Sequence, residues 1–258
     1  LTTVIAVSGK GGVGKTAMSS MVVKYLIEEG RKPILAVDAD SNSNLDLALG
    51  VDLEHTVGSV REDMSVKTQK GTLPAGMAKQ DILEMQIEQA LVETPDFDLI
   101  SMGRPEGPGC YCAINNMLRV FLERLNKSYE YLVVDNEAGM EHLSRRTTRG
   151  VDVLFIVSDP SRRGIATAMR IRDLAREMDI GVGKFYLVLS RVRGTLSEGL
   201  EKEIEGLDIE LAGVIPDDTE LARLDEEGRP LTELPEDSAA RTAVREIMEK
   251  TLKNVGTG

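Results

Sequence analysis

Gly9-Lys10-Gly11-Gly12-Val13-Gly14-Lys15-Thr16, entered from the apolar run Val4-Ile5-Ala6-Val7, decides the fold. A β-branched run, a glycine-rich turn and then Lys-Thr opening a helical pattern reads as strand, phosphate loop, helix. Glycines let the backbone turn its N–H groups inward around phosphate oxygens, and the helix that follows aims its positive end at the same point. Lys15 then reaches the β- and γ-phosphates, and the Thr16 hydroxyl is the expected ligand of Mg²⁺. Contacts to a bound nucleotide are expected from Gly9 through Ala17.

The same letters satisfy a second pattern. Gly9, Gly11 and Gly14 also fit G-x-G-x-x-G, with Asp38 at a distance suited to a ribose contact. A dinucleotide turn has no use for Lys15-Thr16 directly after its third glycine, which favours the phosphate loop. A turn without a ligand is weaker still, because so many glycines cost backbone entropy that a plain turn does not need.

Lys10 is the unusual member, since Lys15 already supplies the phosphate charge. With it the loop resembles the deviant phosphate-loop ATPases: the nitrogenase iron protein, septum-positioning and partition ATPases, and metal-cluster assembly factors. In those families this lysine crosses a two-fold interface to the partner's nucleotide, so the resemblance implies an ATP-dependent homodimer. The plain alternative is a solvated lysine beside an anion.

Apolar runs alternate with helical patterns along the chain, the mark of a mainly parallel, doubly wound sheet covered on both faces. Strands are expected at Pro33–Val37, Asp98–Met102, Tyr131–Val134, Val153–Val157, Phe185–Leu189 and Ile209–Ile215. Helices are expected at residues 15–29, from Asp81 to Glu93, from Ala113 to Lys127, and from Ser238, as N-cap, to Lys253. The remainder of 52–96 is irregular. No repeat or linker interrupts the pattern, so residues 1–258 are expected to form a single phosphate-loop ATPase domain.

Ligands of such sheets lie beyond the carboxyl ends of the strands. Acids stand there: Asp38 and Asp40 after the second strand, and Asp135 after Tyr131–Val134. A mainly apolar strand that delivers an Asp to the rim is how a phosphate-loop fold reaches magnesium, which assigns Asp135 to that ion through a bound water. Each Asp has a plainer use as a cap of the next helix, and Ser41-Asn42-Ser43-Asn44 would serve a short helix near Leu45 equally well. The resemblance adds roles. Val133 to Gly139 matches the family's second switch, where the Gly139 N–H senses the γ-phosphate. Asp38-Ala39-Asp40 resembles the first, with Asp40 on the attacking water and Asp38 in the outer shell of magnesium. Relatives hold the base with an Asn at a later strand end and with backbone after a Pro-Asp turn. Pro216-Asp217 supplies the turn, but Ser190-Arg191 puts Ser where many relatives have Asn.

A formal net charge of −12 argues against a nucleic-acid partner. No apolar run approaches the roughly 20 residues of a membrane span, and no signal peptide is expected before the first strand. Leu1 in place of Met reads as a processed, trimmed or unusually initiated start, with little expected to be missing. The terminal stretch from Lys250 has no large aromatic and only two basic residues, too little for an anionic membrane surface. The last helix is therefore expected to pack on the sheet. Two cysteines in a charged chain without Trp suit the cytoplasm. The 11 Met read as core filler, and neither His55 nor His142 has a partner at metal-ligand spacing.

The cysteines lie in Gly107-Pro108-Gly109-Cys110-Tyr111-Cys112, after a predicted strand. Cys110 and Cys112 cannot close an unstrained disulfide across one residue, and two thiolates are too few for a closed zinc-type site. An isologous dimer contact at this loop would gather four sulfurs. This segment, with Met140 to Arg146 behind the second switch, resembles the nickel-insertion ATPases of carbon monoxide dehydrogenase, often called CooC-type, whose relatives serve acetyl-CoA synthase. The resemblance implies ATP hydrolysis coupled to nickel delivery, with Ni²⁺ or Zn²⁺ held between subunits by Cys110 and Cys112 of each. Two other readings stay open: an ATP-dependent electron-transfer protein with an iron–sulfur cluster between subunits, and a septum-positioning type of spatial regulator. The nitrogenase iron protein pattern needs a Cys just after Asp135, and Asp135 to Leu143 has none.

Overall fold

β-Branched and aliphatic runs flanked by glycine turns pair side by side, and the helices between them return the chain to the same sheet edge. This computed structural model describes residues 2–42, 44–71, 78–104, 111–137 and 150–253. The chain runs β1 (Thr3–Gly9), α1 (Lys15–Glu28), β2 (Ile34–Ala39), α2 (Leu45–Leu49), α3 (Val57–Gln69), α4 (Lys79–Ala90), β3 (Leu91–Glu93) and β4 (Asp98–Ser101). It continues through α5 (Tyr111–Leu125), β5 (Tyr131–Asn136), β6 (Val151–Ser158), α6 (Arg162–Glu177) and β7 (Val182–Val192). α7 (Glu198–Glu205), β8 (Glu210–Pro216), α8 (Thr219–Glu226) and α9 (Ala239–Leu252) complete it.

The strands form one eight-stranded sheet in the order β3-β4-β2-β5-β1-β6-β7-β8. Every pairing is parallel except that of β3 with β4. The predicted doubly wound, mainly parallel architecture is therefore the one observed. Side chains alternate along each strand, so the sheet feeds two cores. Val4, Ala6, Leu132, Val134, Leu154 and Ile156 face one layer, with Ile114, Phe121 and Ile165 from α5 and α6. Ile5, Val7, Val133, Val153, Phe155 and Val188 face the other, with Met18, Val22, Val244 and Met248 from α1 and α9.

The last helix is where the sequence expects it. Ser238 accepts from the Arg241 N–H as N-cap, and Val244, Ile247, Met248 and Thr251 are buried. Glu28 of α1 binds Arg241 at 2.7 Å and Arg245 at 3.1 Å, fastening the phosphate-loop helix to α9. Among the described residues no helix is long and apolar enough to cross a membrane.

Residues 52–96 depart from expectation. α3 was not anticipated; a Thr56–Ser59 capping box starts it. The helix expected from Asp81 to Glu93 stops at Ala90, because Leu91–Glu93 pairs antiparallel with Asp98–Ile100. Backbone pairing at the sheet edge thus overrides a helical period that runs on through the sequence.

Candidate functional site

The phosphate loop leaves the carboxyl end of β1 in the middle of the sheet. Gly9 lies so close to β6 that a Cβ there would stand 2.3 Å from the Val157 carbonyl oxygen. Gly14 takes the left-handed conformation (φ 88°) as N-cap of α1 and offers no capping side chain. The first N–H groups of α1 are thus left to an anion. A Cβ built on Gly11, Gly12 or Gly14 would meet open space, the room a ligand resting on the loop requires. Lys15 is 8% exposed, whereas Lys10 is exposed, with no ion pair among the described residues.

Parallel register sets Asp135 beside Val7. Alternation then turns its side chain to the face that α1 covers, where the Thr16 hydroxyl donates to Asp135 Oδ2 at 2.6 Å. The other carboxylate oxygen, Oδ1, is buried and makes no hydrogen bond of ordinary geometry among the described residues, with the Ser19 hydroxyl beside the carboxylate. Burial pushes the Asp135 carboxyl up to about 6, against the opposing pull of the Thr16 hydrogen bond and the Lys15 charge. An orphaned carboxylate oxygen beside a hydroxyl and a buried lysine fits a magnesium–nucleotide complex.

Asp38 is fully buried and acts as a remote cap. Its Oδ2 accepts from the Asn44 and Leu45 N–H groups, and its Oδ1 from that of Asp40, each at 3.0 Å. The plainer use of this residue is thus visible: Asp38 starts α2, where Asn44 contributes no side-chain cap. Burial raises the Asp38 carboxyl to about 7. Asp40 is partly exposed and accepts from the Asn42 N–H at 2.9 Å.

On the opposite flank of the loop lie the ends of β7 and β8. Ser190, expected near the base, is buried and turned to the loop: its hydroxyl donates to the Val13 carbonyl at 2.6 Å. Arg191 is exposed, with φ 55°, at an irregularity in the β7–β8 register. In the Pro216-Asp217 turn, the Asp217 N–H donates to the Val192 carbonyl at 3.0 Å, and its carboxylate pairs with Arg193 at 2.7 Å.

Two further residues brace this region. Asn136 donates from Nδ2 to the Val7 carbonyl at 3.0 Å, tying β5 to β1 just below the loop. Asp218 accepts from the Glu220 and Leu221 N–H groups of α8, and from the Ser238 hydroxyl and the Ala240 N–H of α9. Only an Asp before a Thr-Glu pair hinted at the first half of that role. Gly139 and Cys110 lie outside the described residues; Cys112 belongs to the first turn of α5, and its side chain is likewise outside them. Among the described residues no group of three or more His, Cys, Asp or Glu is placed to hold a metal ion.

The pattern of the CobQ/CobB/MinD/ParA nucleotide-binding domain matches residues 4–231. The chain belongs to this family. It is 46% identical over 249 residues to an uncharacterised ATP-binding protein of Methanocaldococcus jannaschii, covering 96% of this chain and 98% of that one. It is 31% identical over 264 residues to the carbon monoxide dehydrogenase accessory protein CooC of Rhodospirillum rubrum, covering 98% and 97%. Among solved structures, the septum site-determining protein MinD of Pyrococcus horikoshii, complexed with Mg-ADP, superposes with a TM-score of 0.71 at 23% identity, covering 99% and 98%. That last likeness speaks for the fold.

Proposed function

We propose that this family member is an ATP-hydrolysing maturation factor that assists nickel insertion into carbon monoxide dehydrogenase or acetyl-CoA synthase, working as a homodimer. The observation that carries the reading is end-to-end similarity to the Rhodospirillum rubrum accessory protein in a chain that also holds Gly-Pro-Gly-Cys-x-Cys. Lys15 and the N–H groups of the loop neutralise the β- and γ-phosphates of ATP as charge moves toward the leaving oxygen. Thr16 and Asp135 would hold magnesium, which supplies further charge neutralisation when bound. Asp40 orients the attacking water, Gly139 senses the γ-phosphate, and Lys10 reaches the nucleotide of the partner subunit. Cys110 and Cys112 of both subunits hold the transported ion, Ni²⁺ or Zn²⁺.

Metal analysis of the purified protein, with and without ATP, tests this reading. One Ni²⁺ or Zn²⁺ per two chains, without iron or sulfide, is expected. A brown protein with stoichiometric iron and sulfide would instead make it an electron carrier.

The MinD likeness supports a second reading, a spatial regulator for which ATP is a dimerisation switch. Flotation with anionic vesicles in the presence of ATP separates the two, because a membrane-recruited regulator rises with the lipid and a metal carrier does not.

A further inference from the structure

The turn that follows β2 is gathered from below by one buried side chain. Asp38 Oδ1 accepts from the Asp40 N–H, and Oδ2 from those of Asn44 and Leu45, each at 3.0 Å. These bonds reach two, six and seven residues ahead, so both ends of the turn that carries Asp40 converge on a single group. Donors approach both oxygens, and only an ionised carboxylate offers an acceptor at each. The amide nitrogen of an asparagine would face one of those N–H groups with hydrogens of its own.

The anchor itself is rigid. In the sheet Asp38 pairs with Ser101 on one side and with Asp135 on the other, and its carbonyl accepts from the Met102 N–H at 2.8 Å. α2, by contrast, is a single short helix that does not start unaided, and Asn44 gives it no side-chain cap. Its far end is seated by Gly50 (φ 74°), where a Cβ would stand 2.7 Å from Cγ of Pro230, and by the buried Leu45 and Leu49. Between these fixed points Asp40 is partly exposed, and its carboxylate accepts from the Asn42 N–H at 2.9 Å. Packing therefore does little to hold Asp40, and the hydrogen bond from its own N–H to Asp38 ties it to the sheet.

We propose that Asp38 is a positioning residue, which acts on hydrolysis by holding Asp40 where it meets the attacking water. The proposal rests on the reading of Asp40 given above. Asp38 Oδ1 keeps a lone pair beyond its bond to Asp40, so a contact to magnesium-bound water is the competing role.

Amide hydrogen exchange and single-turnover hydrolysis separate the two on wild type, Asp38→Asn, Asp40→Ala and the double variant, each shown to be folded by its melting transition. Asp38→Ser, with one small acceptor, takes the place of Asp38→Asn in both assays if that variant does not fold. Without nucleotide or magnesium, Asp38→Asn is expected to speed exchange of the Asp40, Asn44 and Leu45 amides at least about ten-fold. Its kcat should fall about 10- to 100-fold, as misplacement of a reacting group does, with nucleotide affinity and the half-saturating magnesium concentration unchanged. The double variant should be no slower than Asp40→Ala, because a residue that acts through another has nothing left to act on. Unchanged exchange at these three amides overturns the proposal. So does a raised magnesium requirement in Asp38→Asn with a double variant slower than either single one, which would make Asp38 a magnesium group. Wild-type kcat in Asp40→Ala would instead sink the reading of Asp40 itself.

Discussion

The Thr16 hydroxyl and Asp135 Oδ2 lie 2.6 Å apart, joining the first turn of α1 to the end of β5 across 119 residues of sequence. In the proposed reading this pair marks the magnesium side of the site. Asp135→Asn keeps the shape but removes the charge. It is expected to leave the fold intact and to lower hydrolysis at least about 100-fold, as loss of a group that stabilises developing charge does elsewhere. Steady-state hydrolysis across a magnesium titration is the measurement. Wild-type rates at every magnesium concentration would remove Asp135 from the site.

Lys15 and Asp40 separate binding from turnover. Lys15 is buried beside the loop, so Lys15→Ala removes the β/γ-phosphate charge and should abolish hydrolysis. Asp40 is partly exposed, and its carboxylate accepts from the nearby Asn42 N–H. Asp40→Ala should bind nucleotide near normally and turn it over slowly, with kcat down about 100-fold or more. Single-turnover measurements beside equilibrium binding distinguish the two variants. An Asp40→Ala protein with unchanged kcat rules out the water assignment.

Lys10 is exposed, so its effect should depend on protein concentration. Lys10→Ala is expected to bind nucleotide as a monomer with wild-type affinity and to lose the rise in specific activity that accompanies dimer formation. Specific activity measured against protein concentration reads this directly. Equal loss of binding and hydrolysis at all concentrations places Lys10 in the site of its own subunit.

Asp218 is a matter of stability rather than chemistry. Its carboxylate caps two helices, and those hydrogen bonds hold its pKa below the ordinary 3.8, outweighing the opposing effect of burial. A depressed carboxylate pKa adds stability that is present above the unfolded value and is lost as pH falls through the folded one. Asp218→Asn should therefore cost stability near neutral pH, and the gap to wild type should close as pH falls from the ordinary carboxylate value through the lowered folded one. Urea melts at several pH values give the curve. A gap that persists at low pH would assign the effect to packing.

The readable parts of this chain are those whose causes are local. Glycine spacing and Lys15-Thr16 announce the loop, and apolar runs that end on acids announce β2 and β5. Ser238 announces α9. α3 escaped because Val57, Val60 and Met64 are its only large buried apolar residues, which leaves too thin a stripe to show a period. β3 escaped because its pairing with Ile100 is a tertiary event. The Ser190–Val13 contact spans 177 residues, and no neighbour of either residue foretells it. The oxygens of Asp38 hold the start of α2, a use that its position at a strand end allows.

The last prediction concerns coupling between metal and nucleotide. If Cys110 and Cys112 bind the ion only when two subunits meet, metal must favour the dimer. If Lys10 completes the nucleotide site across the same interface, ATP must favour it too. Two ligands that prefer one state strengthen each other's binding, typically by about 1–3 kcal/mol. Metal should therefore raise dimer content without nucleotide, and ATP should tighten the metal site; hydrolysis then loosens it and releases the ion to its client. Replacing both cysteines by Ser should abolish metal-induced dimers while the monomer still binds ATP. Sedimentation of wild type and double variant, each with and without Ni²⁺ or Zn²⁺, decides the matter. One ion bound per monomer with no change in mass is incompatible with a shared site.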